Sequence, residues 1–313
     1  MIKIYRTENG KIGEEHAFDP GSWIQLTDPS LDEIELISKR FDIDIADVRA
    51  AMDADESSRV EIEDDYTLIL IDIPIVEIRN DQKAYTAIPL GILLLDEFLI
   101  TICVEETPVL QYFVNSTVRE FSTKKQMRFI YQILYRACMS YQLYLRTIDN
   151  KRTEIEERAQ DNMKEEDLVT LHELESNLVY FATSLRANGA VIDRLSRYSR
   201  VRQFPEDKDL LDDVRVENGQ AIEMTNIYRD IIHGTRELLS NIIDIRLNNV
   251  MKYLAAITIV MAIPNIVSGF YGMNVVSKWV PLYDTPFGFL IIVALTIVVC
   301  LVVLKVLRKK KFL

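Results

Sequence analysis

Residues 250–274 read VMKYLAAITIVMAIPNIVSGFYGMN, and the remaining segments are best understood in relation to them. From Tyr253 to Ser277 the sequence has no charged side chain over about 25 residues, whereas about 20 apolar residues suffice for a helix to cross a bilayer. The stretch closes on Tyr271-Gly272-Met273-Asn274, a polar end at which an apolar helix would meet water. We therefore predict a first transmembrane helix over residues 250–274.

A second apolar stretch follows after a short loop. Residues 285–304 carry no charge, and we predict an external loop at 275–285 and a second transmembrane helix at 286–304. The tail at 305–313 is basic and contains Lys305, Arg308, Lys309, Lys310 and Lys311. Because positive residues beside membrane helices remain on the cytoplasmic side, we predict a multi-pass protein of the cell (inner or plasma) membrane with both termini in the cytoplasm.

The charge of the chain is distributed unevenly. Residues 1–250 carry 29 Lys and Arg against 47 Asp and Glu, a net charge of −18, whereas residues 251–313 carry 7 against 1, a net charge of +6. An acidic body repels nucleic acid and attracts cations. We therefore predict divalent cations and membrane lipid as partners, and no nucleic acid. The N-terminal sequence MIKIYRTENGKIG lacks the features of a secretory signal.

The residue patterns of common catalytic sites do not occur in this sequence. It contains no Gly-rich phosphate loop, no nucleophile elbow and no paired cysteine ligands. The cysteines and histidines are isolated, and we interpret them as inert thiols and surface side chains: Cys103, Cys138, Cys300, His16, His172 and His233. We therefore predict that the protein is not an enzyme and needs no organic cofactor.

Residues 1–122 are predicted to form an α/β domain in the cytoplasm. Runs rich in Ile, Leu and Val between polar clusters predict strands at Ile2–Arg6, Ser22–Leu26, Arg59–Glu63, Tyr66–Ile78, Tyr85–Leu95 and Phe98–Val104. Ser30-Leu31-Asp32-Glu33 is a capping box that predicts the start of a helix, and a shorter helix is expected at Ile45–Met52. A sheet flanked by helices is the simplest packing of these elements.

Residues 123–204 are predicted to form long antiparallel helices, Lys125–Met163 and Lys164–Arg197. A stalk helix over 205–249 follows, with Pro205 suited to a first-turn position. No further Pro interrupts the apolar pattern before Pro264. A continuous helix from Pro205 to Tyr271 would have about 66 residues and a length of about 100 Å, so we expect its apolar stripe to pack against other copies of the chain.

One face of the first transmembrane helix combines small and polar side chains. The three-and-four spacing of a helix aligns Asn248, Met251, Leu254 or Ala255, Thr258, Ala262, Asn265, Gly269 and Gly272. Such a face indicates helix–helix packing, and in a symmetric oligomer it can also line a pore. The Asn265 amide would need a partner in hydrocarbon, and Pro264 beside it frees one backbone carbonyl.

The segment Tyr271-Gly272-Met273-Asn274 lies between a first membrane helix and a short loop, followed by a second helix and a Lys-rich tail. In this position it resembles the signature of the CorA family of magnesium (divalent metal ion) channels and transporters. The resemblance covers the whole chain. It implies an α/β cytoplasmic domain, a long stalk helix and two transmembrane helices, assembled as a funnel-shaped homopentamer whose stalks and first membrane helices line the ion path.

The resemblance also implies roles for individual residues. Gly272, Met273 and Asn274 would form the outer mouth, where Asn274 side chains and backbone carbonyls hydrogen-bond to hydrated Mg²⁺. Such a mouth suits an ion that loses its water reluctantly. Met251 and Leu254 match the family's hydrophobic gate, which closes by dewetting, and Asn248 matches its polar ring.

A regulatory metal site is implied at the interface between protomers. Asp213, with Asp212 beside it, matches the stalk position at which the family has a regulatory carboxylate. Its partner is expected in the neighbouring α/β domain, with Glu77 and Asp81 as candidates. The predicted function is therefore influx of Mg²⁺ gated by intracellular Mg²⁺, so that the same ion is transported and regulatory.

The sequence departs from the family pattern after the signature. Many members carry acidic residues there, whereas this chain continues Val275-Val276-Ser277-Lys278, and only Asp284 remains in the loop. Attraction of cations at the mouth is then expected to be weaker. A related zinc-transporting branch has Ile where this chain has Met273, which favours Mg²⁺. The alternatives are a Co²⁺, Ni²⁺ or Zn²⁺ transporter of the same architecture and, more distantly, a non-transporting membrane-anchored helical scaffold.

Overall fold

The computed structural model describes residues 1–8, 10–79, 82–115, 118–198, 205–274, 276, 280–282 and 285–310. Within these residues the elements are β1 (Ile2–Glu8), β2 (Lys11–Glu15), β3 (Trp23–Thr27), α1 (Leu31–Phe41), α2 (Ile45–Ala50), β4 (Arg59–Ile62), β5 (Tyr66–Arg79), β6 (Gln82–Leu95), β7 (Leu99–Cys103), α3 (Pro108–Asn115), α4 (Gln126–Asn162), α5 (Glu165–Leu195), α6 (Pro205–Tyr271) and α7 (Gly288–Lys309).

The seven strands form one sheet in the order β2-β1-β3-β7-β6-β5-β4. Among the strands of the described residues, only β3 and β7 pair in parallel, and every other neighbouring pair is antiparallel. The longest pair is the β5–β6 hairpin, whose register runs from Tyr66 opposite Leu95 to Arg79 opposite Gln82. All six predicted strands are confirmed, with ends shifted by up to three residues.

Two elements of this domain were not predicted. The strand β2 reads KIGEE and lies at the edge of the sheet, so it lacks the alternation of buried apolar residues that marks a strand. The helix α3 reads PVLQYFVN; it is short and apolar enough to resemble a strand, although Val109, Leu110 and Phe113 are buried on one side of a helix. Short apolar runs are ambiguous between helix and strand.

Helices cover the sheet on both faces, as the sequence predicted. Alternate residues of β5 belong to different cores: Leu68 and Leu70 pack in the cluster that contains Ile34 and Ile37 of α1, whereas Ile69 and its alternates on β5 pack with α3 and α4. The capping box of α1 is confirmed, because Ser30 Oγ accepts a hydrogen bond from the Glu33 amide and Glu33 Oε2 accepts one from the Ser30 amide.

The long helices α4, α5 and α6 make direct contacts in the first part of the chain. The rings of Tyr141 on α4 and Phe181 on α5 pack edge to face with centroids 4.9 Å apart. On α6, Asn218 donates from Nδ2 to the Leu185 carbonyl of α5 at 3.1 Å. The helices end within two residues of the predicted bounds, α5 at Leu195 rather than Arg197.

The helix α6 runs without a break over 67 residues, with Pro264 inside it, so the condition on which its expected length of about 100 Å depended is met. The helix α7 begins two residues later and ends five residues later than the second transmembrane helix predicted at 286–304. Both helices are long and apolar enough to cross a membrane. The chain divides into two compact units, Met1–Arg236 and Glu237–Leu313, and α6 contributes to both. The predicted boundary between stalk and membrane segment at 249/250 remains a prediction, since the helix continues through it.

Candidate functional site

In the second compact unit, α6 and α7 pack along a seam of partly buried side chains. On α6 the shielded residues recur every three or four positions: Lys252, Ala256, Val260, Ile263 and Val267. On α7 they are Ile292, Thr296, Cys300, Val303 and Leu307. Ala256 is fully buried, and Cys300 Sγ lies 3.8 Å from the Val260 carbonyl oxygen. One side of the α6 membrane segment is therefore occupied by α7.

The face predicted to line a pore lies on the opposite side of α6. At about 100° per residue, its mean direction is roughly 150° from the α7 seam. Exposed residues of this face are Asn248, Met251, Leu254, Ala255, Thr258, Asn265, Gly269 and Gly272; Met251 is 60% and Leu254 64% exposed. Ala262 differs from the others because it is half-buried. The structure thus leaves the small and polar face of α6 uncovered by α7.

Pro264 interrupts the hydrogen bonding of α6 in the middle of this segment. Since proline has no amide hydrogen, the Val260 carbonyl receives no bond from residue 264. The Cys300 thiol of α7 fills this place as a weak donor. One turn further, Ser268 Oγ donates to the Asn265 carbonyl at 3.0 Å. The carbonyl that the sequence predicted to be freed by Pro264 therefore has a partner on α7.

The polar side chains of the face predicted to line a pore, the pore-facing side, differ in their hydrogen bonding. Thr258 Oγ1 donates to the Leu254 carbonyl of its own helix at 2.9 Å. The Asn265 side-chain amide, by contrast, has no partner among the described residues of the chain, and it is exposed. A partner for Asn265 must come from water, an ion or another copy of the chain.

The helix ends where the Gly-Met-Asn segment begins. The Gly272 amide donates to the Ser268 carbonyl at 2.9 Å and the Met273 amide to the Phe270 carbonyl at 3.4 Å, which closes the last turn. A Cβ atom on Gly272 would lie 3.3 Å from the Ser268 oxygen, so the turn is tight at this position. Tyr271 Oη donates to the Pro281 carbonyl at 2.9 Å, tying the end of α6 to the loop beyond.

Beyond this turn the side chains of the segment face outward. Met273 is 56% exposed and Asn274 is exposed. The notable loop residues Lys278 and Asp284 lie outside the described residues. The helix α6 therefore ends in a short hydrogen-bonded turn. The exposed thioether of Met273 and the exposed side-chain amide of Asn274 follow it.

The four candidate regulatory acids have different surroundings. Asp213 is exposed on α6, and no described residue forms an ion pair with it. Asp212 Oδ1 lies 3.8 Å from Arg215 Nη1, and Glu77 Oε2 lies 2.8 Å from Arg79 Nη2 on the same strand. Asp81 lies outside the described residues. No group of three or more His, Cys, Asp or Glu in the described part of one chain is placed to hold a metal ion.

The histidines were predicted to be isolated, and for two of them this is wrong. His172 on α5 and His233 on α6 both lie next to Arg236, with Nδ1 atoms 3.3 and 3.5 Å from its guanidinium nitrogens. Arg236 Nη1 is also 2.6 Å from Glu175 Oε2. Both histidines are exposed, as predicted. The grouping joins residues more than 60 positions apart, which no local spacing reveals.

The basic tail is partly helical. Lys305, Arg308 and Lys309 belong to the last turns of α7, and Lys310 is its C-cap residue. Lys311 lies outside the described residues. Cations in the last turn of a helix complement the negative end of its dipole.

The chain is similar to proteins of known kind over most of its length. A family model described as CorA-like Mg²⁺ transporter protein matches residues 20–309. The cobalt/magnesium transport protein CorA of Methanocaldococcus jannaschii is 27% identical over 291 residues, which are 92% of this chain and 90% of that protein.

Solved structures share the fold. The complete structure of the CorA magnesium transporter from Methanocaldococcus jannaschii superimposes with a TM-score of 0.82 at 24% identity, over 100% of this chain and 99% of that one. The full-length CmaX protein superimposes with a TM-score of 0.71 at 14% identity, over 98% and 97% of the two chains. At these identities the likeness shows the fold alone.

Proposed function

Because this chain belongs to the family of CorA-like Mg²⁺ transporter proteins, we propose that it forms a membrane channel through which hydrated Mg²⁺ enters the cell. The observation that carries the proposal is the uncovered face of α6. Within a membrane helix, a face of small and polar residues packs against other helices or faces a water-filled cavity, and α7 lies on the other side. If copies of α6 were arranged around an axis, this face would line a pore that contains water and ions.

The proposed assembly is a homopentamer, the number that the family resemblance implies. Its support in this chain is a stripe of exposed apolar residues along α6, spaced so that they share one side of the helix: Val216, Ile227, Ile231, Leu238 and Ile245. Val216 is 66% and Ile245 60% exposed. Exposed apolar stripes of this length indicate an interface with another chain.

The proposed outer mouth is formed by Gly272, Met273 and Asn274. Mg²⁺ retains its water shell in most sites, so the mouth needs hydrogen-bond acceptors for water rather than a carboxylate cage. The exposed Asn274 side chain and the backbone carbonyls of this turn supply such acceptors. A ring of five Asn274 amides would then select ions by the size and charge of the hydrated ion.

The proposed gate lies at the other end of the membrane segment. Met251 and Leu254 are large, apolar and more than half exposed on the pore-facing side. A ring of such side chains excludes water when it is narrow, and a dewetted constriction blocks ions without a physical plug. Asn248, one turn before Met251, is proposed as the polar ring on the cytoplasmic side of this gate.

The proposed regulation depends on acidic residues at the protomer interface. Asp213 is the preferred ligand because its carboxylate has no ion-pair partner among the described residues, whereas Glu77 is already bound by Arg79. Intracellular Mg²⁺ would bridge Asp213, with Asp212 beside it, to an acid in the α/β domain of the neighbouring protomer, with Glu77 and Asp81 as the candidates. Loss of Mg²⁺ would leave like charges facing each other and loosen the stalks.

The proposed orientation has both termini in the cytoplasm. The cations at 305–310 flank the second membrane helix, and short flanking segments rich in Lys and Arg remain on the cytoplasmic side. An even number of membrane helices then places the acidic residues 1–236 on the same side. The residues of the mouth face the exterior in this arrangement.

The decisive experiment measures Mg²⁺ uptake by the Asn274→Ala variant in proteoliposomes that contain a Mg²⁺-sensitive dye. We expect a loss of at least tenfold in the initial rate, because the mouth loses its hydrogen-bonding side chain in every protomer. Asn249→Ala is the matched control, since Asn249 is exposed on α6 and lies outside the pore-facing side. Uptake unchanged by Asn274→Ala would remove the proposed mouth and would favour a non-transporting scaffold.

The assembly is checked on the same samples. Light scattering of the detergent-solubilised protein, corrected for bound detergent, should give five times the chain mass of 36.2 kDa for the wild type and for both variants. Any other multiple would contradict the pentamer. A normal mass together with lost uptake would assign the effect of Asn274→Ala to the pore.

Transport of Co²⁺ is a second candidate activity, because the relative from Methanocaldococcus jannaschii is named for transport of both cobalt and magnesium. Uptake into metal-depleted vesicles should be compared for Mg²⁺, Co²⁺, Ni²⁺ and Zn²⁺. We expect Mg²⁺, Co²⁺ and Ni²⁺, whose hydrated ions are similar, to enter, and Zn²⁺ to enter more slowly. Preferential entry of Zn²⁺ would contradict the assignment to Mg²⁺.

A further inference from the structure

Three cations lie on one side of α7 at its C-terminal end. Lys305, Arg308 and Lys309 are exposed, and at about 100° per residue they fall within about 100° of arc around the helix axis. We refer to these three residues as the basic face. Lys310 follows directly but lies about 100° of rotation away from Lys309. The basic face therefore points to one side of α7, and Lys310 does not belong to it.

The basic face is turned away from α6. The side of α7 that packs against α6 carries Cys300, Val303 and Leu307. Rotation by about 100° per residue places the basic face roughly 180° from these residues. The helix α6 of the same chain therefore does not cover these cations.

No carboxylate of the same compact unit is close in sequence to these cations. The helix α7 contains no Asp or Glu, and the acidic residues of the described part of 237–310 are Glu237 and Asp244, both on α6. No ion pair joins an acidic side chain to the basic face among the described residues. Three clustered cations without a carboxylate favour an external anion.

An exposed apolar strip continues from the basic face toward the middle of α7. Leu301 is 60%, Val298 57% and Val302 56% exposed, and the three residues lie on the same side of the helix as the cations. We refer to these residues as the apolar strip. A ligand that fits this side of α7 has a negative group at one end and a long apolar body.

We propose that the basic face and the apolar strip together bind an anionic phospholipid. The phosphate group would lie among the three cations, and an acyl chain would follow the apolar strip. Clusters of Lys and Arg next to a membrane helix attract anionic headgroups by about 1 kcal/mol for each cation. A neighbouring acidic stalk would satisfy the basic face but would place polar residues against the apolar strip, so lipid is the better match.

The inference requires that α7 lies in a bilayer, but it is independent of which ion is transported. Its test measures bound lipid and no ion flux, so a failure here and a failure of the proposed Mg²⁺ uptake are distinguishable. The probe is phosphatidylglycerol in an equimolar mixture with phosphatidylcholine. The full-length protein is reconstituted in the mixture and purified in mild detergent, and the retained lipids are quantified by mass spectrometry.

We expect the wild type to retain more phosphatidylglycerol than phosphatidylcholine. The variant Lys305→Gln/Arg308→Gln/Lys309→Gln should lose this enrichment by at least fivefold, the factor that one cation contributes. Lys310→Gln is the matched control, because it removes one cation of the same tail from another side of the helix. It should change the enrichment by less than twofold.

A second variant guards against altered membrane insertion. Exchange of neighbouring residues, Lys305→Val with Val306→Lys, keeps the net charge and moves one cation out of the basic face. It should reduce the enrichment severalfold. The inference is overturned if the triple variant and the wild type retain the same lipid ratio, if Lys310→Gln is as damaging as loss of the basic face, or if inorganic phosphate displaces the lipid completely.

Discussion

Asp72 shows how a single carboxylate is affected by its place in the sheet. It lies in β5 and is half-buried. Burial raises the pKa of its carboxyl group, although hydrogen bonds from Ser184 and Ser58 act in the opposite direction. The charged form is therefore disfavoured in the folded chain. As the pH rises above the value for an unfolded Asp, about 3.9, the unfolded state loses its proton first and the folded state loses stability relative to it.

We predict that Asp72→Asn stabilises the protein at pH 7 and has no such effect at about pH 4. The amide stays neutral, so the cost of burying a charged group is removed. The midpoint of thermal unfolding of the full chain, measured at both pH values, tests this. Asp65→Asn removes an exposed carboxylate of the β4–β5 turn and is the matched control, because it changes the net charge equally at a site that is not buried. An equal gain at both pH values would assign the effect to packing.

For single residues, the sequence predicts the chemical character of a side chain better than it predicts which residues that side chain contacts. Asn188 of α5 bonds to both the amide and the carbonyl of Asp72, at 2.8 and 2.7 Å, across 116 residues of sequence. The grouping of His172 and His233 around Arg236 arises in the same way. Such pairs form when separate elements pack, and no spacing within one element encodes them.

The contact between α6 and α7 depends on a small residue at its centre. Ala256 is fully buried in the seam, where a larger side chain would separate the two helices. We predict that Ala256→Leu destabilises the protein by about 1–3 kcal/mol, the usual cost of overpacking. Thermal unfolding in detergent measures the loss. Ala294→Leu adds the same atoms at an exposed site on α7 and should be neutral; equal behaviour of the two variants would contradict a tight seam.

Long elements were predicted well, and the physical reason is repetition. The helix from Pro205 to Tyr271 contains many turns of apolar residues at three-and-four spacing and one internal proline, so its continuity follows from the sequence. The strand β2 has five residues, of which none is buried. With so few contacts, its pairing with β1 depends on the neighbouring strand more than on its own side chains.

For the candidate site, the sequence predicted which residues share one face of α6, but it could not show what packs against that face. The spacing of Asn248, Thr258 and Asn265 predicts a common face, and the structure places α7 on the other side. Whether that face lines a pore depends on other copies of the chain. Exposed apolar residues such as Leu238 indicate an interface between chains, but they do not give the number of chains or their arrangement.

The proposed regulation belongs to the scale of the whole molecule, because it would couple the acidic body to the membrane segment. We predict that Asp213→Ala weakens closure by intracellular Mg²⁺, raising the half-inhibitory concentration at least threefold, since one bridging carboxylate per interface is lost. Patch-clamp recording of inside-out patches measures this concentration directly. Asp230→Ala removes the same charge from another side of α6 and should leave it unchanged. An unaltered Mg²⁺ dependence in Asp213→Ala would remove Asp213 from the mechanism.

The bond between Cys300 and the Val260 carbonyl makes two distant positions interdependent. The thiol can donate to this oxygen because Pro264 has no amide hydrogen to bond to it. If position 264 regained an amide, the helix could close its own bond, and position 300 would be free to accept any apolar residue of similar size. Substitutions at 264 and 300 should therefore show epistasis: the loss of the thiol matters when the proline is present and becomes silent when the proline is gone.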